Sequence, residues 1–182
     1  MYEYAIYYFS VRGFKQYEVS NFAKGGFECK HNMRYWENNP YTGLGASAVS
    51  YKDGVRSKNT ASVEGYIQAS REGKGHVEST EKLSPLLSAK ETAAVKIRTK
   101  AGIDFDWFEE KTGFDFLKLE GKTVQRLVDD GLVKYTREGS AVTGVCLRRK
   151  GFLLCDTVSS ALLRSEERRV GKEGRSRWSP YH

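Results

Sequence analysis

The sequence has few cysteines and no long apolar run. Its three cysteines, Cys29, Cys146 and Cys155, are odd in number and widely spaced, which argues against a disulfide framework and predicts reduced thiols in a cytoplasmic protein. A membrane-spanning helix needs roughly 18 consecutive apolar residues, and the sequence contains no such run. The first residues also lack the basic segment and apolar stretch of a secretory signal. The sequence therefore predicts neither a membrane span nor secretion.

The formal net charge of +7 is weak support for nucleic-acid binding, because much of it lies in one terminal segment. Residues 164–182 hold six basic and three acidic residues and contribute +3, against +4 for the remainder. Only Val170 and Trp178 are strongly apolar there, so we expect this segment to be disordered. It is similar to a sequence that recurs at the ends of unrelated environmental translations, which indicates an artefactual tail. The functional alternative is a basic arm that binds nucleic acid or anionic lipid.

Apolar spacing and turn residues predict a mixture of helices and strands over residues 1–82. We expect a short helix within residues 1–15 that ends at Gly13, and an irregular segment over residues 22–39. Asp53-Gly54 is a hairpin turn signal. The other expected elements are strands at Gln16–Asn21, Tyr41–Tyr51 and Val55–Lys58 and a helix at Ser62–Arg71.

A second unit is expected over residues 83–163, where helices surround a hairpin. Ser88 and Glu91 have capping-box spacing and predict a helix that runs to about Lys100. Asp104 is expected to cap a short helix through Glu110. The remaining elements are a helix at Phe116–Asp130, a hairpin of Leu132–Thr136 with Ala141–Leu147, and a helix at Gly151–Leu163. This order of elements is winged-helix-like.

Gly43-Leu-Gly45-Ala-Ser-Ala48 matches the loose dinucleotide-binding fingerprint, but its surroundings do not. That fingerprint follows a strand and opens a helix, whereas here a strand-like segment and an Asp-Gly turn come after it. The small side chains are better interpreted as allowing a close backbone approach by a ligand or by another strand. The residues alone leave those two alternatives open.

Cys29 and His31 offer one thiol and one imidazole for a metal. Zinc needs four ligands and no second pair stands at workable spacing, but a haem iron needs only one or two axial ligands. Tyr35 and Trp36 could then cover a porphyrin face. The alternative is that His31 bonds to its neighbours, Asn32 caps a turn, and the two aromatic residues are core. His76 is expected to be exposed, and no nucleophile with a partnered base indicates an enzyme.

Three linked motifs carry a family resemblance. They are Tyr17-Glu-Val-Ser-Asn-Phe-Ala-Lys24, then Cys29-x-His31-Asn32-x-x-Tyr35-Trp36, then Tyr41-x-Gly-Leu-Gly-Ala-x-Ala48-x-Ser-Tyr51. In this order and at these gaps they resemble the signatures of the radical S-adenosylmethionine family of the HemW and oxygen-independent coproporphyrinogen III oxidase type. The resemblance covers about residues 1–163. Within the family, the HNxxYW segment favours the haem chaperones over the coproporphyrinogen dehydrogenases.

The resemblance implies an α/β (α+β) fold in three parts. Residues 1–82 would be the C-terminal remnant of a partial TIM-type radical S-adenosylmethionine barrel, residues 83–163 a small winged-helix-like domain, and residues 164–182 the tail. His31 carries over as a candidate haem ligand supported by Asn32, Tyr35 and Trp36, and Val49 as an S-adenosylmethionine contact.

The family's [4Fe-4S] cluster binds to a CxxxCxxC motif that this sequence lacks. The resemblance therefore implies a fragment that binds haem but does no radical chemistry alone. In the intact protein, the haem would be passed to an acceptor apoprotein. The first residues would fall within a continuing helix of the family, which indicates truncation.

The alternative function is a winged-helix nucleic-acid-binding module, or a protein-interaction module, in residues 84–163. Its recognition helix would present three basic residues, Lys118, Lys122 and Arg126. Four acidic residues, Asp115, Glu120, Asp129 and Asp130, balance them. Since a DNA-reading helix needs a positive face, we expect no nucleic acid as a partner.

Overall fold

The computed structural model describes residues 1–164, which contain eight helices and eight strands. In chain order the elements are α1 (Tyr2–Ser10), β1 (Lys15–Gln16), β2 (Phe22–Ala23), α2 (Lys30–Trp36), β3 (Val49–Lys52), β4 (Val55–Asn59), α3 (Val63–Arg71), β5 (Val77–Lys82), α4 (Pro85–Lys96), β6 (Ile103–Asp104), α5 (Phe105–Thr112), α6 (Phe116–Asp129), β7 (Val133–Glu138), β8 (Ala141–Leu147), α7 (Arg149–Leu153) and α8 (Cys155–Leu163). The mixed α/β class predicted from the sequence is confirmed. The expectation of a disordered tail concerns residues 165–182 and lies outside the described residues.

Two small antiparallel sheets occupy residues 1–82. β1 pairs with β2, and β4 lies between β3 and β5. The strand expected over Gln16–Asn21 is wrong, because Lys15–Gln16 pair with β2 and only an isolated bridge at Glu18 follows before the chain turns back. The long strand expected from Tyr41 is also shorter, since residues 42–48 form a loop and regular pairing begins at Val49.

Among the elements that the sequence did not predict are β5 and α2. β5 has all six side chains exposed, so it carries none of the alternating hydrophobicity that indicates a half-buried strand. Residues 22–39 were expected to be irregular, but Lys30–Trp36 form α2. This helix has only seven residues, and its N-cap, Cys29, makes no side-chain capping bond, so a local signal for it is missing. Neighbouring elements hold α2 in place.

Residues 83–163 form helices packed against the sheet β6-β8-β7. α4 begins after Ser84, whose Oγ accepts the Leu87 N–H at 3.2 Å, so the predicted start at Ser88 is four residues late. Asp104 caps α5 as expected, accepting the Trp107 N–H at 2.9 Å. The final helix is divided at Leu154 into α7 and α8.

The main hydrophobic core is built from α4 through α8 and the sheet among them. Its fully buried side chains include Ala93, Ile97, Phe108, Val145 and Val158. Tyr2 and Val19 from the beginning of the chain pack against this core. The division between residues 82 and 83 stays a prediction. Within residues 1–164, no helix has the length and apolar content needed to cross a membrane.

Backbone hydrogen bonds also connect residues 17–19 to the segment that follows α4. The Val19 N–H donates to the Arg98 carbonyl at 3.1 Å, and the Lys100 N–H donates to the Tyr17 carbonyl at 2.9 Å. These two bonds flank a bridge between Glu18 and Thr99. The segment before α2 is thereby held to the segment that follows α4.

Candidate functional site

α2 carries four of the five predicted site residues. His31 is exposed, whereas Asn32, Tyr35 and Trp36 are half-buried. His31 and Tyr35 are four residues apart, as are Asn32 and Trp36, and side chains at that spacing are neighbours on a helix. Asn32 is weakly linked to the preceding segment, since its Nδ2 donates to Tyr17 Oη at 3.5 Å. The helix thus presents the imidazole outward while its aromatic residues face the protein.

Trp36 packs beside a buried guanidinium. The Arg98 Cζ lies 5.3 Å from the centre of the indole, close enough for a cation–π contact. The Arg98 side chain is only 6% exposed, and its Nη1 is 2.8 Å from Asp156 Oδ1 on α8. Trp36 Nε1 is buried and has no hydrogen-bond acceptor among the described residues. Arg98 therefore links α2 to α8, a connection that no sequence pattern indicates.

Tyr35 begins a row of aromatic rings that runs into the sheet. Its ring centre is 5.3 Å from that of Tyr41, which is 6.3 Å from that of Tyr51. The Tyr51 hydroxyl and Ser88 Oγ, 2.9 Å apart, share a hydrogen bond. Burial, together with the neighbouring Tyr35 phenol, raises the pKa of Tyr41 to about 12. Tyr41 is therefore a neutral phenol at physiological pH.

A small cavity beneath Tyr35 and Tyr41 contains an ion pair. Its volume is about 20 Å³, which is room for about one water molecule. Arg56 Nη2 is 2.8 Å from Glu91 Oε2, and Arg56 Nη1 is 3.4 Å from Glu81 Oε2. Burial raises the pKa of Glu91, although Arg56 opposes that effect. A porphyrin does not fit in this cavity.

Further polar contacts attach the end of α2 to α4. Asn38 Nδ2 donates to Thr92 Oγ1 at 3.0 Å, and Lys96 Nζ lies 3.4 Å from Glu37 Oε1. The Lys96 ammonium also lies 4.5 Å from the centre of the Trp107 ring. α4 is therefore the element that holds α2 through its side chains.

Val49, the fifth predicted site residue, lies apart from α2 at the start of β3. A Cβ on Gly43 would collide with the Val49 backbone carbonyl, so this glycine is required by close packing of the chain against itself. Asn59 Nδ2 donates to the carbonyls of Gly43 and Gly45, at 3.3 and 2.9 Å. No helix opens after Ala48, as a dinucleotide site would require. At Gly43 the structure therefore shows the approach of another strand, whereas no atom lies within 4 Å of a Cβ placed on Gly45, so both alternatives stay open there.

Two other candidates differ in exposure. Cys29, the N-cap of α2, is exposed. His76 was expected to be exposed but is half-buried, because its ring packs 4.6 Å from that of Tyr66. Its Nδ1 is buried without a hydrogen-bond partner among the described residues.

Comparison with known proteins shows strong similarity over most of the chain. It is 36% identical over 163 residues to heme chaperone HemW of Lactococcus lactis, covering 90% of this chain and 41% of that protein. It is 33% identical over 163 residues to heme chaperone HemW of Bacillus subtilis, covering 90% of this chain and 42% of that protein. The chain thus spans about two fifths of the length of these curated relatives. No family model matches the sequence.

A solved structure supports the fold. The chain superposes with a TM-score of 0.65 on the coproporphyrinogen III oxidase HemN from Escherichia coli, described as a radical SAM enzyme, at 16% sequence identity. The match covers 88% of this chain and 39% of that one. At this identity the likeness establishes the shared architecture alone.

Proposed function

The chain belongs to the HemW-like family of radical S-adenosylmethionine proteins, and from that premise we propose that its helix α2 binds haem, with His31 as an axial ligand to the iron. The observation that carries the proposal is the exposure of His31 on a helix whose C-terminal end is anchored to α4. Imidazole is a common axial ligand of haem iron. Within residues 1–164, no hydrogen bond or ion pair engages the His31 side chain.

The neighbouring side chains suit this role. Tyr35, partly buried, follows His31 by one helical turn and is the aromatic neighbour of the imidazole along the helix, whereas Trp36 packs toward the protein against Arg98. The contacts of Arg98 with Trp36 and of Tyr41 with Tyr35 fix those rings before any ligand arrives. A shallow, exposed site of this kind is suited to transient binding and release, as passing haem to an acceptor apoprotein requires.

The family's iron–sulfur cluster does not fit the residues described. Cys29 is exposed, whereas Cys146 and Cys155 are buried, and residues 1–164 contain no group of three Cys, His, Asp or Glu side chains placed to hold a metal. A [4Fe-4S] cluster is held by several cysteine thiolates in one site. The described residues therefore provide no site for the cluster that radical chemistry needs. An S-adenosylmethionine contact at Val49 and a haem acceptor apoprotein belong to the proposal for the intact protein.

Hemin titration tests the ligand assignment. We expect the full chain to bind hemin with a shifted Soret band, and His31→Ala to lose that shifted band because the axial imidazole is gone. His76→Ala is the matched control, since it removes the other histidine of the described residues. Circular dichroism of each variant checks that the fold persists. An unchanged Soret band in His31→Ala would rule out His31 as the ligand.

Within residues 1–164, the charges on α6 do not favour the nucleic-acid alternative. Lys118 on α6 is paired with Asp115 at 3.1 Å, and Gln125 donates to Asp129 on the same helix at 2.9 Å. The exposed surface of α6 therefore carries both signs of charge rather than the positive face of a DNA-reading helix.

A further inference from the structure

The outward face of α2 carries two unpaired cations in addition to His31. Lys30, His31 and Arg34 are all exposed. Within residues 1–164, no hydrogen bond or ion pair engages the side chains of Lys30 and Arg34. By contrast, the cations on the protein side are all paired with carboxylates: Arg56, Lys96 and Arg98. The positive charge on this face is thus available to a ligand.

An exposed aromatic ring stands beside these cations in the sequence. Phe27 is 81% exposed, an unusual state for a large apolar side chain. The Phe27 N–H donates to the Lys24 carbonyl at 2.9 Å, in a turn that ends two residues before the Cys29 N-cap. The segment Phe27–Arg34 therefore offers an apolar surface, an imidazole and two cations to solvent.

Helical spacing sets how these groups can act together. Lys30 and Arg34 are four residues apart, and Arg34 follows His31 by three, so their Cβ atoms lie about 5–6 Å apart. Iron protoporphyrin has its metal at the centre of an apolar ring and two carboxylates side by side on one edge. The outward face of α2 therefore offers cations for the two carboxylates of this molecule as well as an imidazole for its iron.

We propose that Lys30 and Arg34 recognise the two propionate carboxylates of the porphyrin, while His31 binds the iron and Phe27 contacts the ring. This inference rests on the proposed function and adds to it the chemical feature by which the ligand is selected. Arg34 can bind a carboxylate through two parallel N–H donors, and Lys30 supplies a compact positive charge. Because the site is exposed, both contacts weaken as salt screens them.

The test compares hemin with its dimethyl ester, which keeps the iron and the ring but has no free carboxylate. We expect the full wild-type chain to bind hemin about tenfold more tightly than the ester at low salt, as two exposed ion pairs would give. The double variant Lys30→Gln/Arg34→Gln should lose that preference. It should keep the His31-dependent Soret band at saturation, which separates carboxylate recognition from iron ligation.

α6 provides a matched control, because Lys122 and Arg126 repeat the same residue types at the same spacing and are also exposed. Lys122→Gln/Arg126→Gln should leave both affinities unchanged. Equal affinity of the wild-type chain for hemin and the ester would overturn the inference while leaving a His31-dependent Soret band intact. If Lys30→Gln/Arg34→Gln lowered the affinities for hemin and for the ester equally, that would also overturn the inference. It would indicate that this face contributes to folding or to a protein contact instead.

Discussion

Arg56 and Glu91 show how one buried pair connects the sheet to α4. Their side chains are 17% and 12% exposed, and Arg56 is the cation that neutralises Glu91, although Arg56 also lies 3.4 Å from the more exposed Glu81. Replacing Arg56 with Leu would leave Glu91 buried without its partner, which we expect to lower the free energy of unfolding by about 3 kcal/mol at neutral pH. Urea denaturation followed by circular dichroism measures this loss. The double variant Arg56→Leu/Glu91→Leu should recover part of it, since no buried charge then stays unpaired.

The loss in Arg56→Leu should depend on pH in a defined direction. Burial already raises the pKa of Glu91, and removing Arg56 withdraws the contact that lowers it. A carboxyl with a raised folded pKa binds its proton more tightly in the folded state, so stability falls as pH rises from the unfolded pKa through the folded pKa. Arg56→Leu should therefore be less destabilised at the acid end of that window than above it. A pH-independent loss would mean that Glu91 is not the cause.

At the residue scale, the sequence predicts a candidate site from a linear motif, but it cannot find partners that are distant along the chain. The HNxxYW segment indicated the candidate haem ligand and its neighbours on α2, and that assignment stays a prediction. Arg98, Arg56 and Glu91 could not be found in this way, because each meets its partner across 35 residues or more. A charged residue that is buried against a distant element looks the same in the sequence as one on a solvated surface.

At the scale of elements, α2 is stable only through its neighbours. A helix of seven residues is marginal in isolation, because nucleation is costly and few bonds repay it. We expect Asn38→Ala, which removes the bond to Thr92, to speed amide hydrogen exchange in the peptide that covers residues 30–39. Hydrogen exchange with mass spectrometry measures this, and α6 should stay unchanged in the same sample.

Gln125→Ala is the matched control for that variant. It removes a hydrogen bond of similar length on the surface of α6, which the Gln125 side-chain amide donates to Asp129 at 2.9 Å. It should leave the exchange of residues 30–39 at the wild-type rate. If Asn38→Ala and Gln125→Ala give the same exchange in α2, the attachment to α4 does not hold that helix.

Elements with strong local signals were predicted well. α5 and α6 follow Asp104 and Asp115, each of which accepts a backbone N–H three residues on, and α5 ends at Gly113 with a φ of +77°. α2 and β5 have no such signals. Their backbone conformations are set by packing and pairing with other parts of the chain, so single-sequence patterns missed both.

The two parts of the molecule differ in how much apolar surface they bury. The main core draws its fully buried members from residues 89–162, whereas Ala23 and Tyr51 are the buried hydrophobic side chains of residues 1–82. α1 leaves Tyr4 and Tyr7 more than three fifths exposed. Burial of apolar surface is the main favourable term in folding. The first part therefore depends on contacts with the second, such as those of Tyr2 and Val19 with the core.

This asymmetry predicts the behaviour of the separated parts. A polypeptide of residues 83–164 should unfold cooperatively in urea, because it retains the whole main core. A polypeptide of residues 1–82 should show no cooperative transition and no dispersed amide resonances, because it lacks the surface on which α1 and α2 pack. A cooperative transition in residues 1–82 alone would contradict this dependence. Mixing the two polypeptides should order the first part, and haem binding through His31 should return with it.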